Sequence, residues 1–568
     1  MEKKISKLKL LCSAYESTEF LTFLAGVLLQ IPQRKENPYL KNLMSPMRQL
    51  FFLGLLNLQR DSSENKKGFN EAEWDEITKL MHEIEMEYFF LLGFPKDGKE
   101  TPEDIEKIRV TMPTFMNYFF NGPLSYQEQE IEKLEGIFLE FEAEFKAKWD
   151  LGIADFIECY ELINNAINKN LNTATKFVNP ETWQEFTSKC IAKGLLDPKD
   201  WVAEAPEEIN AFMNFIKNPG SFLVINLNKM DYTTISKEKV QKIIELFTCE
   251  RRPNAEIVYY TEENSLINRP ILETNKNEYL IFYLKQYLDS VYNFLFKVCA
   301  EIDRTKIYSN RDIFIENKTA NIFQEFFGKD AFMYTNYSID NNTSEQDILV
   351  ICKRNAVIIE VKAAGSRAPM RDPVKAYEKL KSDFKKSIQY GYDQTFRVKN
   401  KFIQNEKITI TDAKKKILYE FNSDRYENAY SIVVTLDRFG HIQTNLAEML
   451  EKNEDDDFPW AVNIDDLEAF LLTLGKRKNK IQSFFSFLQF RQNFHGHLLC
   501  GDELELCGLF LKDEKDFREW SLKDESIVTQ ADLTEPIEKA YSEGMGFRKE
   551  RFGQQKKDKT INVLFDKK

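Results

Sequence analysis

Between Ser344 and Lys362 the chain reads S-E-Q-D-I-L-V-I-C-K-R-N-A-V-I-I-E-V-K, with charged residues at telling places. Asp347 opens one apolar run, and Glu360 and Lys362 stand two apart at the end of the next. Side chains two apart on a strand share a face. If the runs pair as a hairpin, Asp347 comes level with Glu360, and two carboxylates meet one ammonium at the rim of an apolar sheet. Mg²⁺ takes a few carboxylate oxygens and keeps several waters and a phosphate. Asp347, Glu360 and the backbone carbonyl of Val361 would form such a half-open site. The chemistry it suits is hydrolysis of a phosphate ester, with Lys362 orienting the attacking water or stabilising developing charge. Taken alone, the tripeptide Glu360-Val361-Lys362 fits a surface ion pair on an edge hairpin better. Asp347, the apolar runs and the flanking helical patterns turn the reading toward a site.

The elements that must position these groups are two strands, Asp347–Cys352 and Ala356–Val361, joined by the polar turn Lys353-Arg354-Asn355. Ile, Val and Leu dominate both runs, and the polar break between them is a hairpin signal. Upstream, Asp312–Phe327 has helical spacing through Ile313, Ile315, Ala320, Phe323 and Phe327, and carries Glu316. Downstream, Val374–Phe402 reads as a long helix bearing Gln389 and Gln394.

Asp347 followed by Glu360-Val361-Lys362 on the next strand resembles the core signature of the PD-(D/E)XK nuclease superfamily. The pattern E-Q-D-I-L-V…A-V-I-I-E-V-K-A-A-G is closest to its Mrr-like and nuclease-related (NERD) branches. The resemblance spans roughly Lys306–Val434, under a quarter of the chain, and lacks a Pro before Asp347. It implies a restriction-endonuclease-like α/β core, a mixed sheet flanked by helices. It also implies a Mg²⁺- or Mn²⁺-dependent phosphodiesterase acting on nucleic acid, with DNA favoured over RNA. Asp347, Glu360 and the Val361 carbonyl would hold the metal, and Asp347, Glu360 and Lys362 would be catalytic. The family's further acidic residue falls on Glu316, and its helix-borne Gln on Gln394, set in Y-G-Y-D-Q-T-F-R. Defence against foreign DNA and DNA repair both suit such an enzyme. The alternative is a non-catalytic nucleic-acid-binding or assembly protein that keeps the fold. Degenerate members lose the Asp or the Lys; this chain retains Asp347, Glu360 and Lys362, which favours the enzyme.

Charge is uneven. The net charge of −13 argues against coating nucleic acid by bulk electrostatics. Positions 361–420, however, hold 15 Lys/Arg against 7 Asp/Glu, as a phosphate-binding surface requires. Arg367 and Arg371 lie in a Gly/Pro-containing loop, and Lys375 and Lys379 are a helical turn apart. These four are the expected nucleic-acid contacts, and a solvated helix face is the plainer alternative.

At 568 residues the chain exceeds a single core. The expected architecture is multi-domain α/β. Residues 1–265 form a mainly helical domain, 266–305 a bridging helical segment and 306–440 the nuclease-like core. A small α/β appendage at 441–540 and a polar basic tail at 541–568 complete it. The helical half shows apolar spacing over Leu8–Ile31, Ser45–Leu58, Glu71–Leu92 and Glu128–Trp149, with breaks expected at prolines including Pro113. It carries no phosphate loop or catalytic dyad, and is the expected surface for a protein partner or self-association. Short strands are expected at Phe222–Asn226, Glu256–Tyr260 and Ala429–Leu436, and a helix over Tyr279–Ile302. The eight scattered cysteines lack any C-x-x-C and point to a reducing, cytoplasmic setting. No run reaches the roughly 20 apolar residues of a membrane helix. His495, His497, Cys500 and Cys507 invite a zinc reading, but their spacing does not match common structural-zinc sites. The acidic run Glu454–Asp457 reads as a solvated loop.

Overall fold

The structure is a computed structural model. It describes residues 1–550 apart from 32–36, 61–66, 70, 94–100, 121, 123, 177–179, 197–199, 202–203, 253–258, 340–344, 366, 369, 371 and 405. Most of the expected strand at Glu256–Tyr260, Arg371 and the final residues 551–568 lie outside the described residues. The chain groups into two units, Met1–Phe89 with Phe119–Ile307, and Phe90–Tyr118 with Tyr308–Lys568. The segment expected as a bridge therefore belongs to the first unit, and the appendage shares a unit with the sheet. A piece of the helical half belongs to the second unit.

The first unit is mainly helical. The pattern over Leu8–Ile31 resolves into two helices, Glu2–Cys12 and Ser17–Leu28, because Glu16 caps the second by accepting the Thr18 and Glu19 amides. A small antiparallel sheet joins Val224–Asn226 to the hairpin Ile271–Asn275 and Glu278–Ile281. This hairpin replaces the first turn of the expected helix, which starts at Leu284. Its turn is made possible by Asn277 at φ 64°, in the left-handed region that Asn tolerates. Among the described residues no helix is long and apolar enough to cross a membrane.

The second unit is built on a seven-stranded mixed sheet. Helix α1 (Pro102–Phe120) runs through Pro113, and α2 spans Arg304–Phe327. Strands β1 (Phe332–Ile339), β2 (Gln346–Cys352) and β3 (Asn355–Lys362) form an antiparallel meander. One long helix follows: α3 (Pro373–Phe384), a π-helical turn at Lys385–Gln389, and α4 (Tyr390–Ile403). The hairpin β4 (Lys407–Thr411) and β5 (Ile417–Asn422) precedes β6 (Asn428–Thr435). Strand β7 (Trp460–Asn463), α5 (Ile464–Gly475), α6 (Lys480–Arg491) and α7 (Glu503–Lys512) come next. The strand order is 7-6-3-2-1-4-5, with β6 parallel to β3 and β7 parallel to β6.

The β2–β3 hairpin turns through Lys353-Arg354, with Lys353 at φ 55°, as tight hairpin turns demand. Both strands are buried on both faces, which explains their continuous apolar runs. On one face Leu349, Ile351, Ala356 and Ile358 pack with Val398 and Phe402 of α4. The neighbouring cluster on this face joins Val433 and Ala461 to Tyr377, Leu380 and Phe384 of α3 and to Val110 of α1. On the other face Phe485 of α6 stacks on Tyr430 and meets Phe327 of α2. In α2 the apolar stripe runs through Ile315, Ile322, Phe323, Phe326 and Phe327, whereas Ile313 is exposed.

Candidate active site

The ladder between β2 and β3 pairs Cys352 with Asn355 and continues to Ile348 with Ile359. One step further, at Asp347 and Glu360, side chains take over the bonding. The Val361 amide donates to Asp347 Oδ2 at 2.7 Å, and the Asp347 amide donates to Glu360 Oε1 at 3.3 Å. Each carboxylate thus caps the opposite strand and is fixed in direction. Lys362 Nζ lies 2.9 Å from Glu360 Oε2 and 3.6 Å from Asp347 Oδ2. The three groups share the face that carries Leu349 and Ile358, under the long helix.

Burial sets the electrostatics. Glu360 is fully buried, and desolvation pushes its carboxyl up to about 7, with Asp347 adding to the rise and Lys362 opposing it. Half-buried Glu316 on α2 is likewise pushed up to about 7, by burial first and then by the charge of Asp347. Glu316 thus stands within electrostatic reach of Asp347. Glu325, in the same helix, points elsewhere and pairs with Arg548.

Helix α4 closes the site from above. Gly391 sits so close to the sheet that a Cβ there would lie 2.7 Å from Val433 Cγ1 and 3.5 Å from Lys362 Cγ. The Tyr390 ring lies 5.6 Å from Lys362 Nζ. Gln394 is one turn on from Tyr390 and Gly391, hence on the same helix face; it is buried, with Oε1 unpartnered. Gln389 is occupied elsewhere, exchanging hydrogen bonds with the Glu451 backbone. The π-helical turn also holds the loop after β3, since Ser387 Oγ donates to the Ala364 carbonyl. Tyr390, Gly391 and the turn itself carry no sequence motif, so only the packing brings them to notice.

The basic residues are less uniform than their spacing suggests. Arg367 is not a loose loop arginine: its amide and guanidinium all bind Asp383, the closest contact being 2.7 Å. Lys379 Nζ donates to the Ala368 carbonyl at 2.8 Å, and burial, then the charge of Arg367, lower its pKa. Both tie the loop to α3. Lys375, in the first turn of α3, is exposed.

The residues present fit a divalent cation. Two aimed carboxylates, one of them on the fully buried Glu360, share a single ammonium and make a set short of positive charge. A site with one or two protein carboxylates is what Mg²⁺ uses. At Val361 it is the amide that reaches the site, donating to Asp347 and aiming it. The zinc-like cluster is different, because His495 Nδ1 accepts the Leu446 amide at 3.0 Å. Comparison with protein-family models, curated proteins and solved structures returns no match for this chain.

Proposed function

We propose that the chain is a metal-dependent phosphodiesterase with a restriction-endonuclease-like core, cleaving nucleic acid, DNA in preference to RNA. The observation that carries this reading is the convergence of Asp347 and Glu360 on the Lys362 ammonium where the strand ladder ends. The run of α2, an antiparallel meander, a long helix and a strand parallel to β3 supports it, being a mixed sheet flanked by helices. Bound Mg²⁺ or Mn²⁺ would supply Lewis-acid polarisation of the phosphate and a water of lowered pKa. Asp347 and Glu360 would hold the ion, with Val361 keeping Asp347 in line. Lys362, released from the carboxylates, would donate to a phosphate oxygen or orient the attacking water. Glu316 and Gln394 flank the reacting centre, and Lys375 offers an exposed cation to the backbone of the strand. Foreign DNA and damaged DNA are both substrates such a site would serve.

The test is purified protein on plasmid, linear duplex, single-stranded DNA and RNA with Mg²⁺, Mn²⁺ or EDTA, beside Glu360→Gln. Cleavage that needs the metal and falls roughly 100-fold or more in the variant is the expected result. Full activity in Glu360→Gln would overturn the proposal.

A further inference from the structure

Tyr337 lies on β1, next to the strand that carries Asp347, and is fully buried. It pairs with Gln346, the neighbour of Asp347, and belongs to the buried core that also holds Leu349 and Ile358. Leu349 and Ile358 stand two residues from Asp347 and Glu360, on the same faces of their strands. The residue before it, Asn336, is at φ 49°, a left-handed kink in the middle of a strand that redirects the next side chain. Among the described residues the phenol hydroxyl has no hydrogen-bond partner. A buried orphan hydroxyl is costly and rare in native cores, so it calls for a reason. The charges of Glu360 and then Asp347 act on this phenol.

The surroundings of Glu360 supply that reason. Among the described residues its Oε2 is held by Lys362 and its Oε1 takes only the 3.3 Å bond from Asp347. In the proposed reaction Lys362 must serve the substrate, and buried Glu360, which would hold the cation, then keeps the long Asp347 amide bond as its one hydrogen bond among the described residues. We propose that Tyr337 is a positioning residue for Glu360: its hydroxyl donates to that carboxylate when Lys362 turns away to the substrate phosphate. The orphan hydroxyl of the resting site becomes the satisfied donor of the working one. Glu360 thereby stays aimed while its counter-charge moves. This rests on the nuclease reading, because it is the phosphate that draws Lys362 off.

The experiment uses the full chain and four proteins: wild type, Tyr337→Phe, Lys362→Met and the double variant. Ca²⁺ affinity is measured by calorimetry, cleavage with Mg²⁺, and stability by thermal unfolding. Tyr337→Phe should unfold no earlier than wild type, since it deletes a hydroxyl with no resting partner. It should lower kcat roughly 10-fold, the worth of one hydrogen bond to a charged group, with KM unchanged. In the Lys362→Met background, where the phenol already serves Glu360, Tyr337→Phe should weaken Ca²⁺ binding roughly 10-fold. In the wild-type background that change should be far smaller. A purely structural role for the Tyr337 hydroxyl predicts lost stability with kcat intact, and that result would overturn the proposal. So would equal Ca²⁺ affinities across the Lys362→Met pair. If wild type neither cleaves nor binds Ca²⁺, the nuclease reading itself falls. If wild type cleaves and Tyr337→Phe matches it, only the role of Tyr337 falls.

Discussion

Glu360 and Glu503 are two buried glutamates of the same unit, and they are held in opposite ways. Glu503 receives Arg491 Nε at 2.7 Å, Arg491 Nη2 at 2.8 Å and the Trp460 indole at 2.8 Å. Arg491 also donates to the Thr444 carbonyl, so both members of the pair are spoken for. Glu360 has one ammonium, shared with Asp347, and one long amide bond. A fully satisfied buried pair is a weld, strongly destabilising only when one partner is removed. An under-satisfied carboxylate keeps capacity for something else, which is what a ligand-binding group needs. The difference lies in the number of donors, since exposure is near zero at both.

The comparison can be broken most severely at the weld. Arg491→Ala should cost about 3–5 kcal/mol of folding free energy, because it strands Glu503 without its charge partner. Urea unfolding measures this, and a loss under ~1 kcal/mol would show that Arg491 and Glu503 do not form the weld described.

Glu360→Gln should show the reverse pattern. Cleavage should fall roughly 100- to 1,000-fold, as expected when charge stabilisation at a reacting centre is removed. The thermal midpoint should stay or rise, because a buried, under-compensated carboxylate has been replaced by a neutral amide. A large drop in stability would make Glu360 a second weld.

The pH dependence sharpens the contrast further. Folding raises the Glu360 carboxyl from 4.5 to about 7. Between those values the unfolded chain gives up its proton while the folded chain keeps it, so this group's contribution to stability falls as pH rises. That loss should be present in wild type and reduced in Glu360→Gln over the same window, as read from unfolding curves at a series of pH values. Glu316, raised in the same sense, contributes a parallel decline that the variant retains.

The smallest effect separates the loop cations. Lys375→Ala should reduce the salt slope of nucleic-acid binding by about 0.9, one phosphate contact. Arg367→Ala should leave that slope unchanged and loosen the loop instead, because its guanidinium is spent on Asp383. Binding isotherms against salt, with Ca²⁺ in place of Mg²⁺, distinguish the two; equal slopes in all three proteins would remove Lys375 from the binding surface.

Much of the candidate site was legible because it is local. The Asp347-to-Lys362 stretch reads as a hairpin from its apolar runs and polar break, and the two-residue periodicity of strands put Glu360 and Lys362 on one face. The helix that carries Glu316 followed from helical spacing, and the choice of Glu316 from the family resemblance, although Ile313 in the same helix proves exposed. Partners far apart in the chain were not legible. Nothing near Pro113 tells that its helix continues through it, or that Val110 packs with Tyr377 and Phe384. The Glu454–Asp457 run reads as a solvated loop, yet Asp456 is buried and paired with Lys399 at 2.6 Å. Likewise, the spacing of Arg367 could not disclose that Asp383 binds it.

Taken by itself, then, the amino-acid sequence determined the elements whose signals repeat every two or every 3.6 residues, and with them the order and facing of Asp347, Glu360 and Lys362. Tertiary structure alone decided how many donors each buried group receives. It made Glu503 a weld and left Glu360 and Tyr337 short of partners. The physical reason is that periodicity is a property of neighbours along the chain. Hydrogen-bond satisfaction in a core depends on which distant segments fold against it.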